Sequence, residues 1–200
     1  MENDVRALTH AEQLFGTGRD AASFAVVTIG EGIGCGIFLN GNVVEGSQGV
    51  AGELGHLPLA PDNLVCSYGR RGCVETMAAS RSIVREAGLS VEVASFATVI
   101  EAARLGDARA MAAFAKAGDT IGAALAALVN LVGPEVVIIA GEAVAEFDLH
   151  GERIRETFAE HAFGAEINCS IVLRSHTFDD WARGAAVVVI REIASGQKVR

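Results

Sequence analysis

Apolar residues in the first fifteen positions recur at helical spacing: Val5, Leu8 and Ala11 share one face with Leu14 and Phe15. Asn3-Asp4 opens that pattern and Gly16 stops it. After a loop at Gly18-Arg19-Asp20 the period changes. Phe24 to Ile29, Gly34 to Leu39 and Asn42 to Glu45 are short apolar runs that predict three strands. Asn40-Gly41 between the last two predicts a two-residue hairpin, because both residues tolerate positive φ. Positions 46 to 72 are glycine-rich and read as loop. Helical spacing returns from Cys73 to Ala87, with Gly88 placed as a C-terminal cap, and again from Ser95 to Leu105.

A long helix is predicted from Asp107 to Val132, with Phe114, Ile121, Leu125, Leu128 and Val132 on one stripe. Its second half is apolar nearly all round, so burial is expected. Gly133-Pro134 ends it, and the continuous run Val136 to Ile139 suits a central parallel strand. A helix over Gly151 to His161, a strand at Ile171 to Leu173 and a last helix from about Asp179 to Ala194 complete the chain, with Thr177 and Asp180 placed as a capping box. Three antiparallel strands followed by helices that alternate with strands predict an α/β fold: a mixed sheet with a three-strand meander and helices on both faces. That order is the order of one lobe of the ribonuclease H-like (actin-like ATPase) architecture. No internal repeat or second domain is visible, so residues 1–200 read as a single lobe.

Composition narrows the function classes. Half of the residues are hydrophobic and a fifth charged, a globular balance. A formal net charge of −9 argues against direct contact with a nucleic acid backbone. No uninterrupted apolar run reaches membrane-spanning length and no signal-peptide pattern opens the chain, so a cytoplasmic protein without membrane contact is expected. Of the four cysteines, Cys35 and Cys169 read as small core residues on strands. The other two, Cys66 and Cys73, lie in the glycine-rich loop near His56 and read better as metal ligands than as a disulfide.

The densest chemistry is Gly52-Glu53-Leu54-Gly55-His56, then Cys66, then Gly69-Arg70-Arg71-Gly72-Cys73-Val74-Glu75. Two carboxylates, an imidazole and two thiols within about two dozen positions read as a small-molecule site buttressed by a metal clip. Glu53 and Glu75 as solvated charges, with His56 as a structural histidine, is the plainer alternative. For Asn3 and Asp4 the plainer reading is a helix N-cap.

These residues resemble the C-terminal lobe of the ROK family of bacterial repressors and sugar kinases. The matching stretches are Glu2-Asn3-Asp4, Thr28 to Gly34, Gly52 to His56, Cys66 to Glu75, Asn130 to Gly141 and Trp181 to Ala186. The resemblance implies sugar contacts from Asn3, Asp4, Glu53, His56 and Glu75, with Asp4 the catalytic base if the protein is a kinase. Buried carboxylates and an imidazole suit a polyol, because analogues lacking its hydroxyls would leave them unpaired. It also implies zinc held by His56, Cys66 and Cys73, with Tyr68 at the position of a fourth, missing cysteine. Tetrahedral zinc wants four ligands and a phenol is a poor substitute.

The nucleotide half departs from the kinase pattern. The turn expected to read Gly-Thr-Gly reads Gly30-Glu31-Gly32, after Thr28, and the adenosine-side glycine pair reads Ala140-Gly141-Glu142. The opening Asp-x-Gly-Gly-Thr motif is missing, and the start at Met1 reads as a truncation boundary before which an N-terminal lobe and a winged helix would lie. The expected function is the sugar-sensing and oligomerisation lobe of a ROK-type transcriptional regulator, binding a monosaccharide or phosphosugar and forming a homodimer or tetramer. The alternative is the catalytic lobe of a sugar kinase using ATP and Mg²⁺; a third is a dimerisation module without a ligand.

Overall fold

A computed structural model describes residues 4–89, 95–176 and 178–195. Asn3 and Thr177, and with Thr177 the expected capping box, lie outside the described residues. The elements are α1 (Asp4–Phe15), β1 (Phe24–Ile29), β2 (Ile33–Leu39), β3 (Asn42–Val43), α2 (Glu75–Ala78), α3 (Ser80–Glu86), α4 (Phe96–Arg104), α5 (Ala108–Val132), β4 (Val136–Ala140), α6 (Gly151–His161), β5 (Ser170–Leu173) and α7 (Phe178–Ser195).

The five strands form one mixed sheet in the order β3-β2-β1-β4-β5. β1, β2 and β3 are the antiparallel meander, and β4 runs parallel to both β1 and β5. The β2–β3 turn takes positive φ at Asn40 and Gly41, at 52° and 81°. Both faces of the sheet are covered, which explains why β1 and β4 read as continuous apolar runs. Alternate residues go to opposite sides. Ala25, Val27, Ile29, Val137 and Ile139 join the core built with α2 to α6, whereas Phe24, Val26, Val136, Ile138 and Ala140 pack beneath Val5 and Leu8 of α1, with Trp181 of α7 against them.

α5 has its predicted ends: Asp107 accepts from the amides of Arg109 and Ala110, and Gly133 closes it in the left-handed region at φ 60°. By length and composition it could cross a membrane, but two-thirds of its apolar window is buried inside the protein, as in a core helix. The expected burial all round fails at Leu131, which is 85% exposed. Leu14 and Phe15 are likewise exposed, because the last turn of α1 runs past the sheet. Cys35 is buried on β2 as expected, and burial pushes its thiol up to about 12. Cys169 is half-buried and precedes β5 rather than lying on it, its thiol donating to the carbonyl of Pro134 at 3.1 Å.

The helix expected over Cys73 to Ala87 is two. Ala79 is extended at ψ 152°, and the amide of Ser80 donates to the carbonyl of Gly30 at 2.9 Å. Ser82 Oγ donates to Glu75 O and the Arg85 guanidinium to Thr76 O, so carbonyls freed at the end of α2 are satisfied by side chains of α3. A tertiary hydrogen bond to the end of β1 overrides local helix preference there.

His150, ahead of α6, is buried and stacks on Phe114 at 5.8 Å with Phe147 edge-on at 5.5 Å. Neither ring nitrogen has a hydrogen-bond partner, and burial lowers its pKa to about 4, opposed by Asp148. The unfolded chain takes up this proton near pH 6.5 and the folded chain only near 4, so stability is present above 6.5 and lost as pH falls between the two. The loss amounts to about 3 kcal/mol. Urea unfolding at pH 7 and pH 4.5 is expected to show this drop in the native protein and a drop smaller by about 2–3 kcal/mol in His150→Leu; equal drops would contradict it.

Candidate functional site at the ends of β1 and β4

The C-terminal ends of β1 and β4 lie side by side, and both chains turn away there. Such a place in an α/β sheet is where ligands sit. A cleft of ≈ 490 Å³ opens over it. Its walls include Asp4 and Val5 of α1, Thr28 and the turn Gly30-Glu31-Gly32 after β1, Glu53 and His56, Ser67 and Tyr68, Glu75 of α2, Arg81 of α3, Gly141-Glu142 after β4, and Trp181 of α7.

Glycines set where these walls stand. A Cβ at Gly34 would lie 2.5 Å from Val5 Cγ2, and one at Gly36 would lie 2.0 Å from Thr9 Oγ1. Their absence lets α1 settle on β2 and brings Asp4 to the cleft. Gly184 does the same for α7, where a Cβ would lie 2.3 Å from the carbonyl oxygen of Ala7. Gly52 and Gly55 are the tightest case. Gly52 takes φ +89°, and a Cβ there would lie 2.1 Å from Cys35 O; at Gly55 it would lie 2.4 Å from Ile33 O. The short 3₁₀ turn Leu54–His56 is thereby pressed flush onto the backbone of β2, which aims Glu53 and His56 into the cleft.

From Leu57 to Val74 the chain makes a doubled-back excursion, closed by bridges Pro58–Cys73 and Val65–Arg71. The Cys66 amide donates to Arg70 O and the Val74 amide to Leu57 O. This folding brings Glu75 under His56 and the two thiols beside it. His56 Nε2 lies 3.9 Å from Glu53 Oε2, and its Nδ1 lies 3.8 Å from Glu75 Oε1. The latter two atoms are buried and neither has a hydrogen-bond partner. Buried polar atoms are almost always paired, so this pair is an exception that a hydrogen-bonding group reaching either atom would remove.

One ligand atom from each of His56, Cys66 and Cys73 falls within 4.8 Å of the others. Burial pushes the Cys73 thiol up to about 11, as do its hydrogen bond with Cys66 and the negative charges of Cys66 and Glu75, opposed by the Arg70 guanidinium. At Cys66 burial also acts upward, but hydrogen bonds at the Tyr68 and Arg70 backbone and from Cys73 outweigh it and lower the thiol. Two soft sulfurs and an imidazole nitrogen fit a zinc ion in type and number for three of its four positions. Tyr68, which the family resemblance puts at the place of a fourth ligand, is 78% exposed and lies edge-on to His56 at 5.1 Å.

The end of the cleft formed by the turns after β1 and β4 is acidic. Gly141 takes φ +95°, and a Cβ there would lie 2.5 Å from Ile29 O, so the turn after β4 presses on β1. Glu142 reaches over Gly30, where a Cβ would come 3.5 Å from Glu142 Oε2. Glu31 is exposed on the facing turn. Asp4 lies at the start of α1 with Oδ1 accepting from the Val5 amide at 2.8 Å, so helix-end and cleft positions coincide. All the sequence-singled residues that fall in the described part except Cys66 and Cys73 line this cleft; those two flank it. Sequence reasoning missed Arg81 as a wall, since its place depends on the break at Ala79. Trp181 was noted only as part of a motif.

The fit of the Gly52 turn on β2 is testable. Gly52→Ala is expected to destabilise the protein by about 2 kcal/mol or more, from positive φ and the clash with Cys35 O together. Gly69→Ala, at φ +76° with open space around it, should cost about 1 kcal/mol. Equal midpoints for the two variants in urea unfolding would contradict the packing described.

Known proteins resemble this chain in sequence and fold. The ROK family model matches residues 1–192. A glucokinase of Thermotoga maritima is 28% identical over 98% of this chain and 67% of its own length. The DNA-binding transcriptional dual regulator NagC of Escherichia coli is 29% identical over 97% of this chain, which spans only 50% of that protein. Among solved structures, a ROK family glucokinase from Streptomyces griseus in complex with glucose and AMPPNP superposes with a TM-score of 0.80 at 30% identity, covering 94% of this chain and 67% of that one. Kinases and repressors thus stand at the same distance, and with the family match extending over nearly the whole length, the chain belongs to the ROK family.

Proposed function

We propose that the chain is the sugar-sensing and oligomerisation lobe of a ROK-type transcriptional regulator. The observation that carries this reading is the pair of carboxylates, Glu31 and Glu142, on the turns where a kinase would seat its nucleotide. Both carboxylates are exposed, and a phosphate oxygen about 4 Å from one is opposed by about 1 kcal/mol in bulk water and about 4 kcal/mol at the dielectric near a protein surface. The opposite end keeps Asp4, Glu53, His56 and Glu75 around unpaired buried atoms that suit sugar hydroxyls. A carboxylate accepts from adjacent hydroxyls and an imidazole both donates and accepts, which fixes a polyol's orientation.

The ligand in this reading is a monosaccharide or phosphosugar, bound between this lobe and a proposed N-terminal one. Closure around it would shift the orientation of a DNA-binding winged helix, the protein acting in the cytoplasm as a dimer or tetramer. This segment would not itself touch DNA. Zinc held by His56, Cys66 and Cys73 would supply a cross-link that stiffens the loop carrying Glu75. A second reading is favoured by Asp4, whose carboxylate stands in the cleft where a kinase needs its base: the catalytic lobe of an ATP- and Mg²⁺-dependent sugar kinase.

Trp181 is the single tryptophan and lines the cleft, so its emission reports occupancy. Titration with glucose, xylose or N-acetylglucosamine is expected to shift that emission for at least one sugar. Glu75→Ala and Glu53→Ala should weaken the response at least about tenfold, the value of one lost charged hydrogen bond. Asp4→Asn should leave it within about threefold, because sensing removes no proton. A full response in Glu75→Ala would overturn the site, and sugar phosphorylation lost only in Asp4→Asn would select the kinase reading.

A further inference from the structure

Charge in the cleft is uneven. Five carboxylates line it, Asp4, Glu31, Glu53, Glu75 and Glu142, against one guanidinium, Arg81. Arg81 also lines a second cavity, ≈ 250 Å³, which shares Ser67 and Glu75 with the cleft and runs on past Thr76 and Ser82 to Arg85. Arg81 and Arg85 are four residues apart on α3 and so present their side chains from one face. The Arg85 guanidinium donates to the carbonyl of Thr76, which anchors it and leaves further N–H groups to spare. Among the described residues no carboxylate lies in ion-pair range of either arginine; Glu75, the nearest acid in the wall, faces His56 instead. Two guanidiniums, unpaired by acids, thus open off a strongly acidic cleft.

An anionic group cannot lie well among five carboxylates, but the same group on a short tether could leave them and reach the arginines. Planar guanidiniums hold phosphate and carboxylate in two-pronged hydrogen bonds, which an isolated lysine cannot do. We infer that the cavity between Arg81 and Arg85 is an anion subsite continuous with the sugar cleft, so that the effector is a monosaccharide bearing a phosphate or a carboxylate. The inference rests on the sugar reading for the cleft, yet it assigns residues that reading does not use. It also accounts for the loop geometry: the break at Ala79 that ends α2 is what turns Arg81 toward the cleft.

The test is calorimetry on the whole chain with glucose, glucose 6-phosphate, glucose 1-phosphate, glucuronate and inorganic phosphate, at low salt so that exposed charges are not screened. At least one anionic sugar is expected to bind about tenfold or more tighter than glucose, and the phosphates against glucuronate decide which anion is preferred. Arg81→Gln with Arg85→Gln should remove that advantage, so that the anionic sugar binds no tighter than glucose does to the same variant. Arg81→Gln alone, which breaks no side-chain hydrogen bond among the described residues, should remove about threefold or more of it, so a folding defect from Arg85 does not shelter the idea. Inorganic phosphate reads the subsite without a sugar: phosphate binding that disappears in the double variant, with no sugar bound at all, would uphold the subsite and sink the sugar reading. Equal binding of glucose and its charged forms, an unchanged ratio in the variants, or no binding of any anion overturns the subsite.

Discussion

The backbone contact between two glycines and β2 governs everything the site can do. Gly52 and Gly55 bring a short turn within van der Waals reach of the carbonyls of Cys35 and Ile33, closer than any side chain would permit. Because β2 is hydrogen-bonded along its length to β1, whose end carries the Gly30–Gly32 turn, Glu53 and His56 are fixed relative to that turn by rigid sheet instead of mobile loop. The same strand receives α1 through Gly34 and Gly36, so Asp4 is indexed to the same backbone. Three walls of the cleft therefore share one frame of reference, which is how a site made mostly from loops can hold groups in register.

Within that frame the chemistry divides. Around His56 the atoms are buried, polar and unpaired, a state that a polyol or a metal relieves. Across the cleft, at the ends of β1 and β4, the acidic groups Glu31 and Glu142 are exposed to water. The fold is shared with a glucokinase that was solved with glucose and AMPPNP. Side-chain charge, not backbone shape, is what separates the two halves here. Relatives of nearly equal identity stand on either side of the kinase and repressor divide, so the fold alone does not set the function.

Much of this was legible in the chain. The Asn40-Gly41 hairpin, the caps at Asp107, Gly88 and Gly133, and the two buried strands β1 and β4 each follow from local rules, since their causes lie within a few residues. The Gly52 to Glu75 block could be singled out because polar and soft ligands rarely crowd together. What the sequence hid depends on distant partners. Ala79 leaves the helix because Ser80 bonds to Gly30, some fifty positions earlier in the chain. Arg81 enters the cleft only as a result of that break, and exposed Leu131 carries no mark distinguishing it from its buried neighbour Leu128. Cys169 reads as a strand residue by composition, whereas its thiol bonds to Pro134 just before β5 begins.

The division of the cleft into a sugar half and a disabled nucleotide half is tested most directly by calorimetric titration of Mg²⁺-AMPPNP into the sugar-loaded protein, repeated with Glu31→Thr combined with Glu142→Gly. The account predicts no saturable heat from the native chain up to about 1 mM nucleotide, and binding that appears once both carboxylates are gone. Submillimolar nucleotide binding to the native chain, unimproved by removing Glu31 and Glu142, would contradict it.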